Sequence, residues 1–249
     1  MWADRGVRYV GLTHFGHNQF GDSSNPDFTR DSGPRHNGLS PLGRDLVNAL
    51  NEHGIMVDVS HTGKETMMQA ADLSRTPIIA SHSGVKAVAD SARNLDDEQL
   101  RKIRDVDGVA QMVALDNYVK PFTKAQGEFR EALRKELGLD TAEGRGMASE
   151  ATRAEYARRV KGMWDIEPRA SVANFVDHID HAVKIAGIDH VGIASDFDGG
   201  GGVDGWEDAS ASLNVTAELV ARGYSEDDIA KIWGGNLLRV MEAVEAGAK

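Results

Sequence analysis

The 249-residue sequence has 28 Lys and Arg residues against 39 Asp and Glu residues, which gives a formal net charge of −11 at pH 7. This acidic balance disfavours nucleic acid and anionic membrane surfaces as partners, and we expect neither. The sequence has no cysteine, which excludes disulfides and thiolate metal sites and leaves His, Asp and Glu as the strong metal ligands.

Five short runs rich in Val and Ile are predicted to be strands, and stretches of helical period separate them. The runs are Arg8–Thr13, Ile55–Ser60, Pro77–Ser81, Val109–Leu115 and His190–Ser195. This alternation is typical of βα units and predicts an α/β fold with a parallel sheet, in a single domain over residues 1–249. The first residues do not resemble a signal peptide, and we expect a cytoplasmic location.

Three helices carry clear signals at their ends. Ser40 stands at an N-cap position and Pro41 follows it, so a helix begins there. A second helix is predicted over Lys64–Ser74. Ser225 and Asp228 have the spacing of a capping box and mark the beginning of a third helix.

Residues 120–169 interrupt the βα rhythm after the fourth predicted strand. The segment is charged, and it has helical period around Phe129–Leu137 and Ala154–Met163. We interpret it as an insertion in the loop after that strand. Two roles are open for it: a lid or oligomer contact, or a solvated helical excursion.

Polar residues follow four of the five predicted strands at their carboxyl ends. His14 follows the first strand, His61 the second and His82 the third, and Asp196 follows the last. In parallel α/β folds the active site lies at this end of the sheet. Strand alternation would also place each imidazole in line with the buried residues before it, as in Val57-x-Val59-x-His61. The sequence therefore predicts a site where these side chains converge.

His61 and His82 are the best candidates for metal ligands. They are separated by one βα step, so their strands are expected to be neighbours, about 5 Å apart. Two imidazoles at that spacing reach one divalent ion at Zn–N distances of about 2.0–2.1 Å. The alternative is that each ring bonds to neighbouring backbone and holds no metal.

The other candidates have roles that follow from their chemistry. Asp196 suits a general acid or base, and His14 suits a third metal ligand or a donor to a substrate carbonyl. Arg93 is either a clamp for a substrate carboxylate or a surface residue. The glycines at 199–202 allow a ligand to approach the backbone closely, or form a flexible loop.

The sequence His178-Ile-Asp180 has the H-x-D form of a metal-binding pair. We reject it because Phe175, Ile179 and Ala182 lie on one helical face there. Residues two positions apart on a helix diverge by about 200° and do not chelate together.

Six separated segments, in the same order, resemble the membrane (renal) dipeptidase family of zinc peptidases. The resemblance implies a (β/α)8 TIM barrel with a two-zinc site that cleaves dipeptides. The matching segments contain RYVGLTH, GIMVDVSH, PIIASHS, SARN, GIDHVGIASDFDG and GGNLLRV.

Each candidate residue acquires a role from this resemblance. The family's substrate-contacting Tyr after the fourth strand has no clean counterpart, with Tyr118 nearby and Asp116 at the aligned place. The implied roles are zinc ligands for His61 and His82, a contact near the scissile carbonyl for His14, carboxylate binding for Arg93, proton transfer to the leaving amine for Asp196, and backbone binding of the substrate amino group for Gly199.

The resemblance also implies residues that this sequence does not contain. The family has an H-x-D pair on its first strand for the other zinc and a bridging Glu at the end of its third strand. Only about five of eight βα units are predicted here, so the expectation is an incomplete barrel that lacks the first three. We expect a Zn²⁺-dependent dipeptidase that acts with a complementing amino-terminal segment or as a homodimer. The alternatives are a catalytically impaired or non-catalytic barrel remnant, and a related amide hydrolase with another small substrate.

Overall fold

The computed structural model describes residues 2–26 and 31–248. Within them, five parallel strands form one sheet whose order follows the sequence, β1-β2-β3-β4-β5. The strands are Tyr9–Gly11 (β1), Met56–Asp58 (β2), Ile79–Ser83 (β3), Val109–Val113 (β4) and Val191–Ala194 (β5). The predicted α/β class is confirmed, and each strand overlaps one of the predicted runs.

Helices connect the strands and are numbered in chain order. Along the chain, β2 is preceded by Pro41–Glu52 (α1) and followed by Lys64–Leu73 (α2), and β4 is preceded by Asp97–Asp105 (α3). The remaining helices are Asp116–Val119 (α4), Lys124–Glu136 (α5), Ala142–Met147 (α6), Glu150–Arg159 (α7), Val172–Ala186 (α8), Ser212–Ala221 (α9), Glu226–Ala230 (α10) and Asn236–Ala246 (α11). None of the helices in the described ranges has both the length and the apolar character needed to cross a bilayer.

The predicted helix signals act as expected. The Ser40 side chain accepts a hydrogen bond from the Gly43 N–H at 3.0 Å and caps α1, with Pro41 in the first turn. Ser225 and Asp228 form the reciprocal bonds of a capping box at the start of α10. Caps of this kind contribute about 0.5–2 kcal/mol each, so they fix where these two helices begin.

The core lies between the sheet and the helices that cover it. Val57, Ile78 and Met112 of the strand segments are fully buried, as are Phe175 and Ile179 on one face of α8. Burial of such side chains contributes about 1.5–3 kcal/mol each. This packing holds the strands in fixed positions relative to the helices, and loops follow the carboxyl ends of the strands.

The insertion at residues 120–169 forms α5, α6, α7 and a 3₁₀ turn over Val160–Asp165. Its beginning and end are tied together, because Lys120 pairs with Glu167 at 2.7 Å and the Gln126 side-chain amide donates to the Glu167 carbonyl at 3.0 Å. Arg159 also pairs with Glu136. The helical character of the insertion is confirmed, and the choice between a lid and a solvated excursion stays a prediction.

His178 of α8 ties the helix to two loops near the strand ends. Its Nδ1 accepts from the Val85 N–H at 2.8 Å, so its Nε2–H donates to the Val119 carbonyl at 2.9 Å. Burial lowers the pKa of this ring. The H-x-D interpretation fails here as expected, since Asp180 instead bonds Arg222 and Tyr224.

A His178→Ala substitution is expected to reduce the free energy of unfolding by about 3 kcal/mol, because both backbone partners lose their bonds. His181→Ala is the control. This residue also lies on α8, and the substitution removes a half-buried pair with Asp97 of α3, with an expected loss below about 1 kcal/mol. Because burial lowers the pKa of the folded ring, the unfolded ring binds a proton more readily as pH falls below about 6.5. The effect of His178→Ala is therefore expected to shrink as pH falls below that value. Urea unfolding at pH 8 and pH 5.5 measures both effects, and equal losses for the two variants would contradict the assigned role.

Candidate active site

His61 and His82 meet at the carboxyl ends of β2 and β3. Their Nε2 atoms are 2.8 Å apart and their ring centroids 4.8 Å apart. His61 is 5% exposed and His82 is half-buried. The exposed His14 ring also lies against His61, with centroids 4.2 Å apart. The structure therefore brings together the three imidazoles that the sequence placed at neighbouring strand ends.

A left-handed turn, and not strand alternation, places His61. β2 ends at Asp58, and His61 has φ 67°, in the region that favours glycine. Its carbonyl accepts from the Ser24 N–H at 2.8 Å and from the Ser23 hydroxyl at 3.1 Å. The predicted alternation through Val57, Val59 and His61 is therefore wrong at its last member, because the chain leaves the sheet before reaching it. Strain of this kind is concentrated at functional sites.

His82 lies within β3, and hydrogen bonds hold both its ring and its backbone. Its Nδ1 is 2.8 Å from the Ser81 hydroxyl, which in turn donates to Asp58 Oδ2 at 2.7 Å. Its backbone N–H donates to the Ser60 hydroxyl at 2.9 Å. Asp58 and Ser81 are not among the site residues predicted from the sequence. The signal was present in the repeated Ser-His pairs and in the polar residue that interrupts the apolar run at position 58.

Electrostatics keep both buried rings neutral. Burial, followed by the charge of Arg93 and by His14, lowers the pKa of His61 to about 2. Burial and Arg93 also lower the pKa of His82, against the opposite effects of Asp58 and Asp196. Neutral imidazole is the form that binds a metal.

Arg93 is buried beside this pair and is not a surface residue. It is 3% exposed, and its Nη2 donates to the His82 carbonyl at 2.9 Å. Its guanidinium lies 5.3 Å from the ring centroid of Tyr118, and in the described part of the chain its buried Nε has no hydrogen-bond partner. Burial lowers the pKa of Arg93. A buried cation of this kind is suited to a ligand carboxylate.

Tyr118, and not Asp116, contacts Arg93. Asp116 instead pairs with Arg169 at 2.9 Å, which also donates to the Gly202 carbonyl at 2.7 Å. Burial raises the pKa of Asp116. Of the two residues weighed from the sequence, Tyr118 therefore lies at the site, while Asp116 fastens the glycine loop.

Asp196 begins a tight loop whose shape depends on the glycines that follow it. It has φ 53°, and its carbonyl accepts from the N–H groups of Gly199 at 3.0 Å and Gly201 at 2.6 Å. A Cβ at position 199 would lie 2.2 Å from Asp196 Oδ1, so only glycine fits against this carboxylate. The Asp196 charge opposes the lowering of pKa at both His82 and Arg93, which places it within electrostatic reach of both groups.

The residues of the site fit one metal ion only in part. The two Nε2 atoms would need to separate from 2.8 Å to about 3.3 Å, the spacing of two nitrogen ligands on a tetrahedral zinc ion. In residues 2–26 and 31–248, no group of three or more His, Cys, Asp or Glu side chains is arranged to hold a metal. The pair therefore supplies two imidazoles, where a catalytic zinc has three protein ligands.

Comparisons with known proteins agree with this arrangement. A family described as membrane dipeptidase (Peptidase family M19) matches residues 1–249. The chain is 32% identical over 250 residues to the dipeptidase aclJ of Aspergillus oryzae, covering all of this chain and 48% of that protein. The chain thus spans about half the length of the curated relatives it matches.

Two solved structures are similar to this fold. The probable dipeptidase PvdM from Pseudomonas aeruginosa matches with a TM-score of 0.83 and 45% identity, over 99% of this chain and 65% of that one. A metallo peptidase from Rhodobacter sphaeroides, bound to a phosphinate mimic of the dipeptide L-Ala-D-Ala, matches with a TM-score of 0.67 and 27% identity, over 98% of this chain and 57% of that one.

A parallel α/β sheet with imidazoles and an acid at its carboxyl edge is consistent with a TIM-barrel-like fold, in which the functional site lies at that edge. The match over the whole chain shows more specifically that this chain belongs to the membrane dipeptidase family, a family of metallopeptidases.

Proposed function

We propose that this protein is a zinc-dependent dipeptidase. The observation that carries the proposal is the convergence of His61 and His82, with Nε2 atoms 2.8 Å apart, beside the buried cation of Arg93 and within electrostatic reach of Asp196. Dipeptidases among the relatives and the dipeptide mimic bound to a similar structure support the substrate class.

Each group of the site has a place in dipeptide hydrolysis. Zinc held by His61 and His82 would polarise the scissile carbonyl and lower the pKa of water. Water adds its oxygen to the carbonyl carbon, the C–N bond breaks, and Asp196 passes the proton from that water to the leaving amine. Arg93 binds the substrate carboxylate, while the exposed His14 donates to the carbonyl oxygen.

Gly199 suits the substrate amino group through its carbonyl oxygen. Its N–H is already bonded to the Asp196 carbonyl at 3.0 Å. An ammonium group has donors only, so the Gly199 carbonyl oxygen, an acceptor, is the atom that it requires. The glycine loop would therefore bind the amino end while Arg93 binds the carboxyl end.

We further propose that the complete enzyme is a (β/α)8 barrel in which these residues form five of the eight units. Among the described residues, β1 and β5 each have one neighbouring strand, so each offers an edge for pairing. The relatives are about twice as long as this chain. The remaining strands, with the second half of the two-metal site, would come from a complementing amino-terminal segment or from a second subunit.

Zinc analysis and a substrate panel test the proposed function. The protein, purified with all eight units of the proposed barrel present, is dialysed against zinc, analysed for bound metal and assayed with free, N-acylated and lactam-capped dipeptides. We expect stoichiometric zinc and hydrolysis only of dipeptides with both termini free. Protein without zinc or turnover would support a non-catalytic remnant, and cleavage of N-acylated substrates would support another amide hydrolase.

Arg93→Ala is expected to raise KM for dipeptides at least tenfold with a smaller change in kcat, because the lost contact binds the carboxylate in ground state and transition state alike. Lys86→Ala, which removes an exposed cation a few residues earlier, is the control. Steady-state kinetics with a dipeptide and its carboxyl-terminal amide measure the effect. An unchanged KM, or equal losses for acid and amide, would remove Arg93 from the carboxylate site.

A further inference from the structure

A hydrogen-bond relay runs from a buried carboxylate to the two imidazoles. It joins Asp58 Oδ2 to the Ser81 hydroxyl at 2.7 Å, that hydroxyl to His82 Nδ1 at 2.8 Å, and His82 Nε2 to His61 Nε2 at 2.8 Å. Asp58 is 4% exposed. None of the roles assigned above uses Asp58 or Ser81.

The direction of proton donation along this relay is fixed at its carboxylate end. Asp58 Oδ1 accepts from the backbone N–H groups of Ser60 at 3.0 Å and Ser81 at 2.9 Å, so the carboxylate cannot rotate. A carboxylate only accepts, and the Ser81 hydroxyl therefore donates its one proton to Asp58 Oδ2. The Ser81 oxygen is then left as an acceptor for His82 Nδ1–H.

The same direction of donation is consistent with the hydrogen bonding of the two imidazoles at the other end of the relay. With its proton on Nδ1, His82 presents a lone pair at Nε2, and His61 Nε2–H donates to it. His61 Nδ1 then becomes a bare acceptor, and in the described residues this buried atom has no hydrogen-bond partner. The opposite direction would leave a buried N–H unpaired at that atom, which is rarer in proteins than an unpaired acceptor.

We propose that Asp58 and Ser81 are positioning residues that set the tautomer of His82, so that its Nε2 lone pair faces the metal position before any metal arrives. This inference deepens the metal site proposed above and rests on it. Carboxylate partners of metal-binding histidines fix the tautomer and raise the basicity of the ligand. Here a serine lies between the carboxylate and the ring, and His82 is the ligand that needs no proton shift.

Asp58→Asn is expected to reverse the direction of donation along the relay, because asparagine has nearly the same shape as aspartate but carries a donor group. The asparagine Oδ1 keeps the two backbone bonds, so its NH₂ group faces the Ser81 oxygen and donates to it. The Ser81 proton then turns to His82 Nδ1, and the His82 proton moves to Nε2. The substitution therefore covers the lone pair that would bind metal.

The test is the tautomer of each ring in the metal-free chain, read from ¹H–¹⁵N correlation spectra of ¹⁵N-histidine protein at pH 8. We expect Nδ1–H at His82 and Nε2–H at His61 in the wild type, and the reverse at both rings in Asp58→Asn. An Nε2–H tautomer at His82 in the wild type, or the same tautomer in both proteins, would overturn the proposal.

Variants at Ser81 keep the test decisive if Asp58→Asn does not fold. Ser81→Ala is expected to release His82 from the Nδ1–H tautomer and to weaken zinc binding about 10–100-fold, as measured by competition with a chromophoric chelator. Ser81→Thr, which keeps the hydroxyl, and Ser83→Ala, which removes a buried hydroxyl bonded to Ser60, are expected to keep both properties. If Ser81→Ala matches Ser83→Ala in both readouts, the proposal is wrong. Wild-type protein with the expected tautomers but without zinc would instead contradict the proposed function and leave the tautomer assignment standing.

Discussion

An Asp196→Asn variant is expected to hydrolyse dipeptides about 10²–10⁴-fold more slowly than the wild type, which is the usual contribution of a general acid or base. The amide has nearly the same shape as the carboxylate, so the loop of Gly199 and Gly201 keeps its bonds to the Asp196 carbonyl. Zinc content is expected to change little, because the two imidazoles that hold the metal are unaltered. The decrease should appear in kcat, measured at saturating dipeptide.

Asp198→Asn is the matched control for this prediction. It removes the same charge from an exposed side chain two residues further along the loop, so activity should stay within about twofold of the wild type. Loss of zinc in proportion to loss of activity in Asp196→Asn would contradict the proton-transfer role and would indicate a metal ligand instead.

His61 variants are expected to have the largest effect on zinc binding. His61→Ala and His61→Gly each remove one of two imidazoles, and the affinity should fall by more than the 10–100-fold that loss of an outer partner typically costs. The stability of the metal-free variants should separate them. At φ 67° alanine is strained and glycine is not, so the glycine variant is expected to be more stable by about 1 kcal/mol.

This order of stability is the reverse of the usual one, since glycine ordinarily destabilises regular structure relative to alanine. Urea unfolding in the presence of a chelator measures it. His190→Ala provides the control for zinc, because that ring lies at the opposite end of the sheet and bonds to the Gly108 carbonyl at 2.9 Å. Zinc affinity equal to wild type in either His61 variant would remove His61 from the metal site.

Much of the site could be predicted because its residues follow strands. Val- and Ile-rich runs located the five strands, and parallel strands share one functional edge, so His14, His61 and His82 were expected to converge. The order of the strands along the sheet follows from successive βα steps. Side chains of this kind are placed by short-range rules that the sequence contains directly.

The remaining parts depend on contacts between distant segments. Burial of Arg93 against Tyr118 follows from how the loop after β3 packs on α4, and an isolated arginine in the sequence gives no sign of it. The left-handed backbone of His61 is maintained by Ser23 and Ser24 from the loop after β1. The Asp58 carboxylate on β2 bonds to Ser81 on the neighbouring strand β3. In the sequence of its own strand, it is only one polar residue within an apolar run.

The position of the two histidines in the sheet has a consequence for motion. His61 follows β2 and His82 lies within β3, and in the described sheet these are both interior strands, whereas β1 and β5 lie at the edges. Sheets breathe from their outer strands inward, and amide hydrogen exchange is slowest where a strand is paired on both sides. Fraying of β5 alone therefore leaves the pairing of β2 with β3 in place, whereas opening of β1 would also release the Ser23 and Ser24 bonds that hold His61. The arrangement of the two rings is thus expected to depend on the stability of the β1 edge more than on that of the β5 edge.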